Sequence, residues 1–480
     1  MNLIILLYII GWVLQIEALF LTVPAIIGLC YHEYNCSISY MIVAVICLVL
    51  GYVLRQQKFD ANDIYPREGF VSVSLSWIFL SLFGCLPFML TGEIPGFVNA
   101  WFETVSGLTT TGASILSDVE ALSHASIFWR SFTHWIGGMG VFIIMLAIMP
   151  LAGAHSMNLM RAESPGPSVG KFLPKIRDTA ILTYGIYITL TIIICISFLI
   201  SGMSLFDALT MTFGTVGTGG FGIYNDSAAS FTPLQQNLIT IFMILCGVNY
   251  NVYFCLVFRR FKEIFSFEEV RCYFLIIFTS AGIIAWNIRH IYPTMEERLR
   301  HAFFQVGSII TTSGFSTVDF DQWPQLSRNI IIILMFIGAC AGSTGGGMKV
   351  SRILILMKSV QDELHRIIHP HLIKKKHFDG HILPEETLRS TNAFTAIYFV
   401  IFFISVLLIG VDELDFTTDF TAVASMINNI GPGFSLVGPT CNFDVYSSFS
   451  KCILIFDMLA GRLELFPVLI LFMPTCWKRY

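Results

Sequence analysis

Thr311-Thr312-Ser313-Gly314-Phe315 is the stretch on which the reading turns, because three other segments share its character: Thr109-Thr110-Thr111-Gly112-Ala113, Gly217-Thr218-Gly219-Gly220-Phe221 and Ile430-Gly431-Pro432-Gly433-Phe434. Gly112, Gly220, Gly314 and Gly433 stand 108, 94 and 119 residues apart. A unit of roughly a hundred residues is too long for a solenoid repeat. Ahead of each segment lies a short amphipathic stretch, at 97–107, 205–214, 297–308 and 416–427, and a long apolar stretch lies on either side. One such segment alone reads as a plain turn. Four of them, each between two apolar helices, predict four units around a central axis, and hence a pore.

Composition agrees. Of the 480 residues 55% are hydrophobic and only 12% charged, with a mean hydropathy of +0.73, against about 25% charged in a soluble globule. About ten stretches approach the ~20 apolar residues a bilayer core requires: 3–30, 38–54, 69–92, 126–151, 179–202, 235–258, 272–291, 329–357, 392–411 and 452–474. The fold class expected is an all-α membrane protein of about ten transmembrane helices. An N-terminal helix pair (1–60) precedes four pseudo-symmetric helix, pore-loop, helix repeats at 61–155, 156–262, 263–365 and 366–480. The first stretch has no basic start or small-residue cleavage site, which predicts a permanent helix rather than a signal peptide.

With the N-terminus inside and the stretches alternating, the inner segments hold 21 of the 28 Lys and Arg residues, the outer ones hold six, and Arg462 lies within the last stretch. Basic residues concentrate on the cytoplasmic side, so both termini are expected there. Membrane sidedness thus sets the charge distribution, and the net charge of −4 carries no nucleic-acid signal. Lys374-Lys375-Lys376 reads as an inner anchor. The twelve cysteines form no CxxC pair; a Cys30–Cys36 disulfide is conceivable, though free thiols fit better.

Short stretches before the glycine segments predict helices that re-enter from outside. Irregular backbone at membrane depth is tolerated where it is buried or lines a water-filled cavity, and rings of carbonyl oxygens can replace a cation's hydration shell. The C-terminal ends of the re-entrant helices carry partial negative charge toward the same place. Outer carboxylates, among them Glu93, Glu103, Asp118, Asp226, Asp321 and Asp415, are expected to concentrate cations at the mouth.

Two further features stand out. In Gly338-Ala339-Cys340-Ala341-Gly342-Ser343-Thr344-Gly345-Gly346-Gly347 half of the residues are glycine, poor helix material in the middle of 329–357. A break there, just inside the third segment, can cross the conduction path as a gate; the other reading is close packing of a small-residue helix face. The last stretch carries Asp457, Arg462 and Glu464, charges that at membrane depth mark function by default. Arg462 would place a positive charge beneath the filter, or else pair structurally with Glu464. Formal matches to GxGxxG at Gly217–Gly222 and to a phosphate loop at Gly342–Lys349 lack the strand context those sites need.

On the four glycine segments, the broken third-repeat helix and the terminal arginine, the chain resembles the Trk/Ktr/HKT potassium transporter superfamily, with its closest likeness to the bacterial TrkH/TrkG subunits. His134-Trp135-Ile136-Gly137-Gly138-Met139-Gly140 and Glu163-Ser164-Pro165-Gly166-Pro167 add to the resemblance, which covers nearly the whole length. It implies a potassium-binding filter at Thr110, Thr111, Gly112, Thr218, Gly219, Gly220, Thr312, Ser313, Gly314, Gly431, Pro432 and Gly433. It implies a gate over Gly338, Gly342, Ser343, Thr344, Gly345, Gly346, Gly347 and Lys349, and pore charges at Arg462 with Asp457 and Glu464. It implies a homodimer in the bacterial inner membrane, a pore in each protomer, and a cytosolic TrkA-like nucleotide-binding ring on the inner loops 157–178 and 358–389. Potassium is then the substrate, with no cofactor in this chain, and proton or sodium coupling stays open. Glycine at Gly112, where sodium-permeable plant relatives carry serine, favours potassium. Ser313 departs from the small apolar residue common in relatives. The competing classes are an intramembrane metal-dependent hydrolase using His365, His369 and His371, which lacks an HExxH pattern, and a regulatory membrane subunit without transport of its own.

Overall fold

The computed structural model describes residues 3–56, 66–140, 176–369, 377–379 and 381–478. The Glu163–Pro167 motif, Lys374–Lys376 and most of the inner loop 157–178 lie outside them. Apart from a two-residue hairpin pairing His377 with Ile382 and Phe378 with His381, regular structure among the described residues is helical.

Helices Leu3–Cys30 and Tyr34–Arg55 form the N-terminal pair. They cross where Gly11 and Gly51 meet backbone to backbone, so that a Cβ on either would press within 3.0 Å of the other's carbonyl oxygen, the small-residue contact typical of membrane helices. Cys30 and Cys36 are both free thiols.

Four units follow. Each has a long outer helix (Pro66–Gly84, Ile176–Ile200, Glu268–Asn287, Glu385–Ile409), a short one (Phe97–Leu108, Leu205–Gly217, Met295–Ile310, Phe416–Ile427), an irregular segment, and an inner helix (His124–Met139, Pro233–Cys246, Gln325–Ile337, Ser448–Arg462). The short helices have 12, 13, 16 and 12 residues. At 1.5 Å per residue they are too short for a hydrocarbon core of about 30 Å. Three are started by side-chain caps, from Ser204, Thr294 and Asp415 to the backbone N–H of the third helical residue, which satisfies otherwise unpaired donors.

Two of the inner helices differ from the sequence expectation, and a third breaks where its glycines predict. Six helices are long and apolar enough to span a membrane among the described residues, and one further span is broken: Pro233–Cys246 and Tyr250–Val257 meet at 91°. The stretch 235–258, expected as one helix, therefore turns at Gly247–Asn249. In 329–357 the helix Gln325–Ile337 stops, and Val350–Ile368 starts only after twelve irregular residues. The stretch 452–474 breaks too, since the helix ends at Arg462 and both Glu464 and Leu465 take positive φ. Apolarity persists through each break, so hydropathy alone does not register it.

Buried apolar side chains knit the units in a ring. One cluster joins the N-terminal pair, the first unit and the fourth through Tyr40, Phe102, Met426 and Leu454. Another joins the second unit to Phe304 and Phe315 of the third, and a third joins the third unit to Ile430 and Phe434 of the fourth.

Candidate ion-conduction site

In all four irregular segments the backbone follows one course. Left-handed φ occurs at Thr110, Thr218, Thr312 and Asn429, at 55°, 54°, 58° and 55°, and again two residues on at Gly112, Gly220, Gly314 and Gly431. The N–H groups are used up locally. Thr111, Gly219, Ser313 and Ile430 donate to the carbonyls of Ser106, Gly214, Ser308 and Ser425 at 2.8–2.9 Å, each five residues back on its short helix. Every segment thus hands its donors to the helix behind it and leaves its carbonyl oxygens for whatever lies in front.

What lies in front is the next segment. A Cβ on Gly112 would fall within 3.0 Å of the Gly219 carbonyl oxygen, one on Gly220 within that distance of Ser313, one on Gly314 of Ile430, and one on Gly431 would stand 2.7 Å from that of Thr111. The series runs from first unit to second, third, fourth and back to first. This closed ring is the geometric content of the four-unit arrangement, and glycine is required at each corner both by φ and by space. All four glycines line one cavity of about 130 Å³, open toward Asn442 and Phe443 of the fourth unit.

The ring corrects one assignment. Gly431-Pro432-Gly433, expected as the fourth filter triplet, is two residues out of register, and the equivalent triplet is Asn429-Ile430-Gly431. Gly433 lies beyond the ring, its N–H bonded to the Val437 carbonyl at 2.7 Å and its α-carbon packed on Thr421 and Val437. The repeated Gly-Phe ending drew the sequence alignment to the wrong glycine. Asn429 Nδ2 bonds Thr111 Oγ1 at 3.0 Å and the Met458 carbonyl at 2.9 Å, fastening the last corner to the first. Gly431→Ala should abolish discrimination between rubidium and sodium in tracer uptake, while Gly433→Ala should keep that ratio and lower thermal stability by about 1–3 kcal/mol; the opposite pattern would restore the earlier register.

Sequence reading missed the residues that brace the ring. His134 Nδ1 lies 2.8 Å from the Gly107 carbonyl oxygen and Nε2 accepts the Phe221 N–H at 3.1 Å, which fixes a neutral ring protonated on Nδ1. It ties the first short helix to the second filter segment. Gly137 abuts the Leu108 carbonyl and Gly138 abuts Gly217, so the His-Trp-Ile-Gly-Gly motif is a packing device at the ring. Glu103, expected at the outer surface, is 1% exposed and pairs with Arg130 at 2.8 Å while accepting from Ser114 and the Ile115 N–H. Its carboxylate holds the outer end of the first segment. At the mouth, burial would raise Asp415, but bonds from Thr418 and Ser435 outweigh it and hold its carboxyl below the usual range, leaving a charge that persists in acid.

Beneath the ring lies the glycine-rich loop. The Gly346 N–H donates to Thr312 Oγ1 at 2.6 Å, and Gly345 and Gly346 pack on the carbonyls of Thr311 and Asn428. The loop therefore touches the inner ends of the third and fourth segments. It is also tied to the second unit: Cys340 N–H to the Gly247 carbonyl at 3.1 Å and Tyr250 N–H to that of Gly342 at 3.0 Å. Lys349 Nζ returns to the Gly345 carbonyl. Arg462 completes the enclosure, donating to Thr344 of the loop at 2.8 Å and to the Gly137 and Gly138 carbonyls of the first unit at 2.5 and 2.9 Å.

The three charges of the last stretch point to different neighbours. Glu464 pairs with Arg352, and Asp457 faces the outer helix, accepting from Ser405 Oγ at 2.7 Å. Helical periodicity accounts for this: five residues from Asp457 to Arg462 turn the side chain to another face, and the break at Glu464 redirects the third. Of the histidines, His365 bonds the Gln361 carbonyl, His371 lies outside the described residues, and no group able to hold a metal ion occurs among those described.

A ring of backbone carbonyls framed by four short helices, within a bundle of apolar spans and with a glycine-rich loop beneath it, is a candidate cation site in a multi-pass membrane protein. Residues 37–479 match the family model described as TrkH, cation transport protein, and the chain belongs to that family. It is 36% identical over 468 residues to the Trk system potassium uptake protein TrkH of Escherichia coli (strain K12), covering 95% of each chain. It is 31% identical to TrkG of the same strain, covering 98% of this chain and 97% of that one. The crystal structure of the potassium transporter TrkH from Vibrio parahaemolyticus superposes with a TM-score of 0.88 at 30% identity over the whole of both chains.

Proposed function

We propose that this protein takes up potassium through the carbonyl ring, with the 338–349 loop as its gate. The observation that carries the reading is the closure of the ring: four carbonyls, of Thr111, Gly219, Ser313 and Ile430, each packed by the glycine of the neighbouring unit, with their own N–H groups already spent. Carbonyl dipoles in that arrangement stabilise a dehydrated monovalent cation. The short helices point their C-terminal ends at the same point and exclude anions. A unit charge moving inward gains about 2.3 kcal/mol per 100 mV, so uptake against a gradient needs no chemical step. A transport path of this kind also accounts for the buried ring better than a hydrolytic site does.

The names of the relatives place them in a Trk system, in keeping with a chain that works beside other components. The reading includes a homodimer in the bacterial inner membrane with both termini cytoplasmic, repeat boundaries near 61, 156, 263 and 366, and a nucleotide-binding ring seated on the inner loops. Rubidium and sodium uptake into liposomes holding the purified protein, under an inside-negative potential without a pH gradient, tests it. Rubidium well above sodium supports the selective pore. Uptake that requires a pH gradient indicates proton symport, and silence with and without a cytosolic partner defeats the proposal.

Arg462 then acts as a pin between gate and first unit. Arg462→Ala is expected to raise partner-independent rubidium uptake by roughly tenfold, the weight of a charged hydrogen bond, in protein that still elutes as one species. Wild-type uptake would reduce Arg462 to a structural cap.

A further inference from the structure

Glu269 is the second residue of the helix Glu268–Asn287 and reads in sequence as an ordinary acid of a helix start. In the structure it is 2% exposed. Its Oε1 accepts the N–H of Ala341 at 2.7 Å and that of Ser351 at 3.0 Å, and its Oε2 lies 3.4 Å from Asn249 Nδ2. Ala341 lies just inside the start of the glycine-rich loop, and Ser351 in the first turn of the helix that resumes after it. One carboxylate oxygen therefore draws together the two ends of the loop, while the other reaches Asn249 at the break of the second unit. A single acceptor thus satisfies two buried N–H groups, and buried N–H groups deprived of a partner are costly.

The same helix start is fastened from the cytoplasmic side. Asp379 Oδ1 accepts the Glu268 N–H at 2.6 Å, and Lys358 joins the Glu268 carboxylate to the His377 carbonyl. Phe378 of the hairpin is 2% exposed. The hairpin is thus one residue away from the carboxylate that holds the loop.

We infer that Glu269 is a positioning residue that latches the loop across the inner end of the filter, its helix start braced from behind by Asp379 and Lys358. This rests on the reading of 338–349 as the gate. Without Glu269 the loop ends lose their common acceptor, and the Gly346 contact to Thr312 is no longer held in place from behind.

The test uses the full-length protein in liposomes without a partner, scored by rubidium uptake and by amide exchange over 338–351. Glu269→Ala and Glu269→Asp, the latter about 1.5 Å too short to reach both donors, are expected to raise uptake about fivefold or more at an unchanged rubidium-to-sodium ratio, and to speed exchange at Ala341 and Ser351. Glu269→Gln keeps an acceptor oxygen at the same reach and should stay within about twofold of the parent. If Glu269→Ala fails to fold, Glu269→Asp carries the decision. Parental or reduced uptake in folded Glu269→Asp overturns the latch. Deletion of Gly345–Gly347 separates the two readings: if the deletion raises uptake and the Glu269 variants do not, only the latch falls, and if neither does, the gate falls with it.

Discussion

Gly220→Ala should reduce rubidium uptake by at least about a hundredfold, equivalent to some 2.7 kcal/mol, in protein that remains folded. Two costs fall on the same atom. The residue sits at φ +82°, where an L side chain is strained by about 1–2 kcal/mol. Its methyl would also lie within 3.0 Å of the Ser313 carbonyl oxygen, so that oxygen must rotate away from the axis. Relief of strain and coordination of the ion compete for one backbone group, and the ion loses. Because the ring is closed, the displaced Ser313 segment also pushes against Gly314 and hence the Ile430 carbonyl. Uptake in liposomes and elution on size exclusion, measured together, decide the matter. Folded protein with parental uptake would mean that the ring does not conduct.

Deleting Gly345–Gly347 should have the opposite sign and a similar size. These residues place the loop against Thr312 and beside the Asn428 carbonyl. The deletion removes the N–H that bonds Thr312 and the backbone packed on the Asn428 carbonyl, so the shortened loop loses its hold on the inner end of the ring. If the closed form is favoured about 99 to 1 without a partner, removing it raises uptake up to about a hundredfold and abolishes any further stimulation by the partner. Unchanged uptake would show that ions pass elsewhere or that the loop is only packing.

The pore-forming plan was legible because its signals are local. Each re-entrant helix showed as an amphipathic stretch ending at a glycine segment, and the structure places all four within three residues of the expected ends. Gly338–Gly347 announced its break by composition. Legibility failed where the deciding interaction joins residues distant in sequence. Nothing near Gly431 reveals that it, and not Gly433, faces Thr111, since that follows from ring closure across more than three hundred residues. Glu269 resembles any first-turn acid until Ala341 and Ser351 are folded onto it. The inner-helix breaks at Gly247 and Arg462 stayed hidden because the chain remains apolar on both sides, and the bias against broken helices lies in the hydropathy window itself.

The first left-handed residue of each segment, two before its corner glycine, is threonine in three units and Asn429 in the fourth. In an assembly of identical subunits such a difference could not exist, since every substitution would appear four times over. A single polypeptide that writes each segment separately lets heredity edit one quarter of the ring at a time. Changes at the ring can then accumulate in quarter steps, each small enough to be survived, and the loop proposed as gate is written once, in one unit alone.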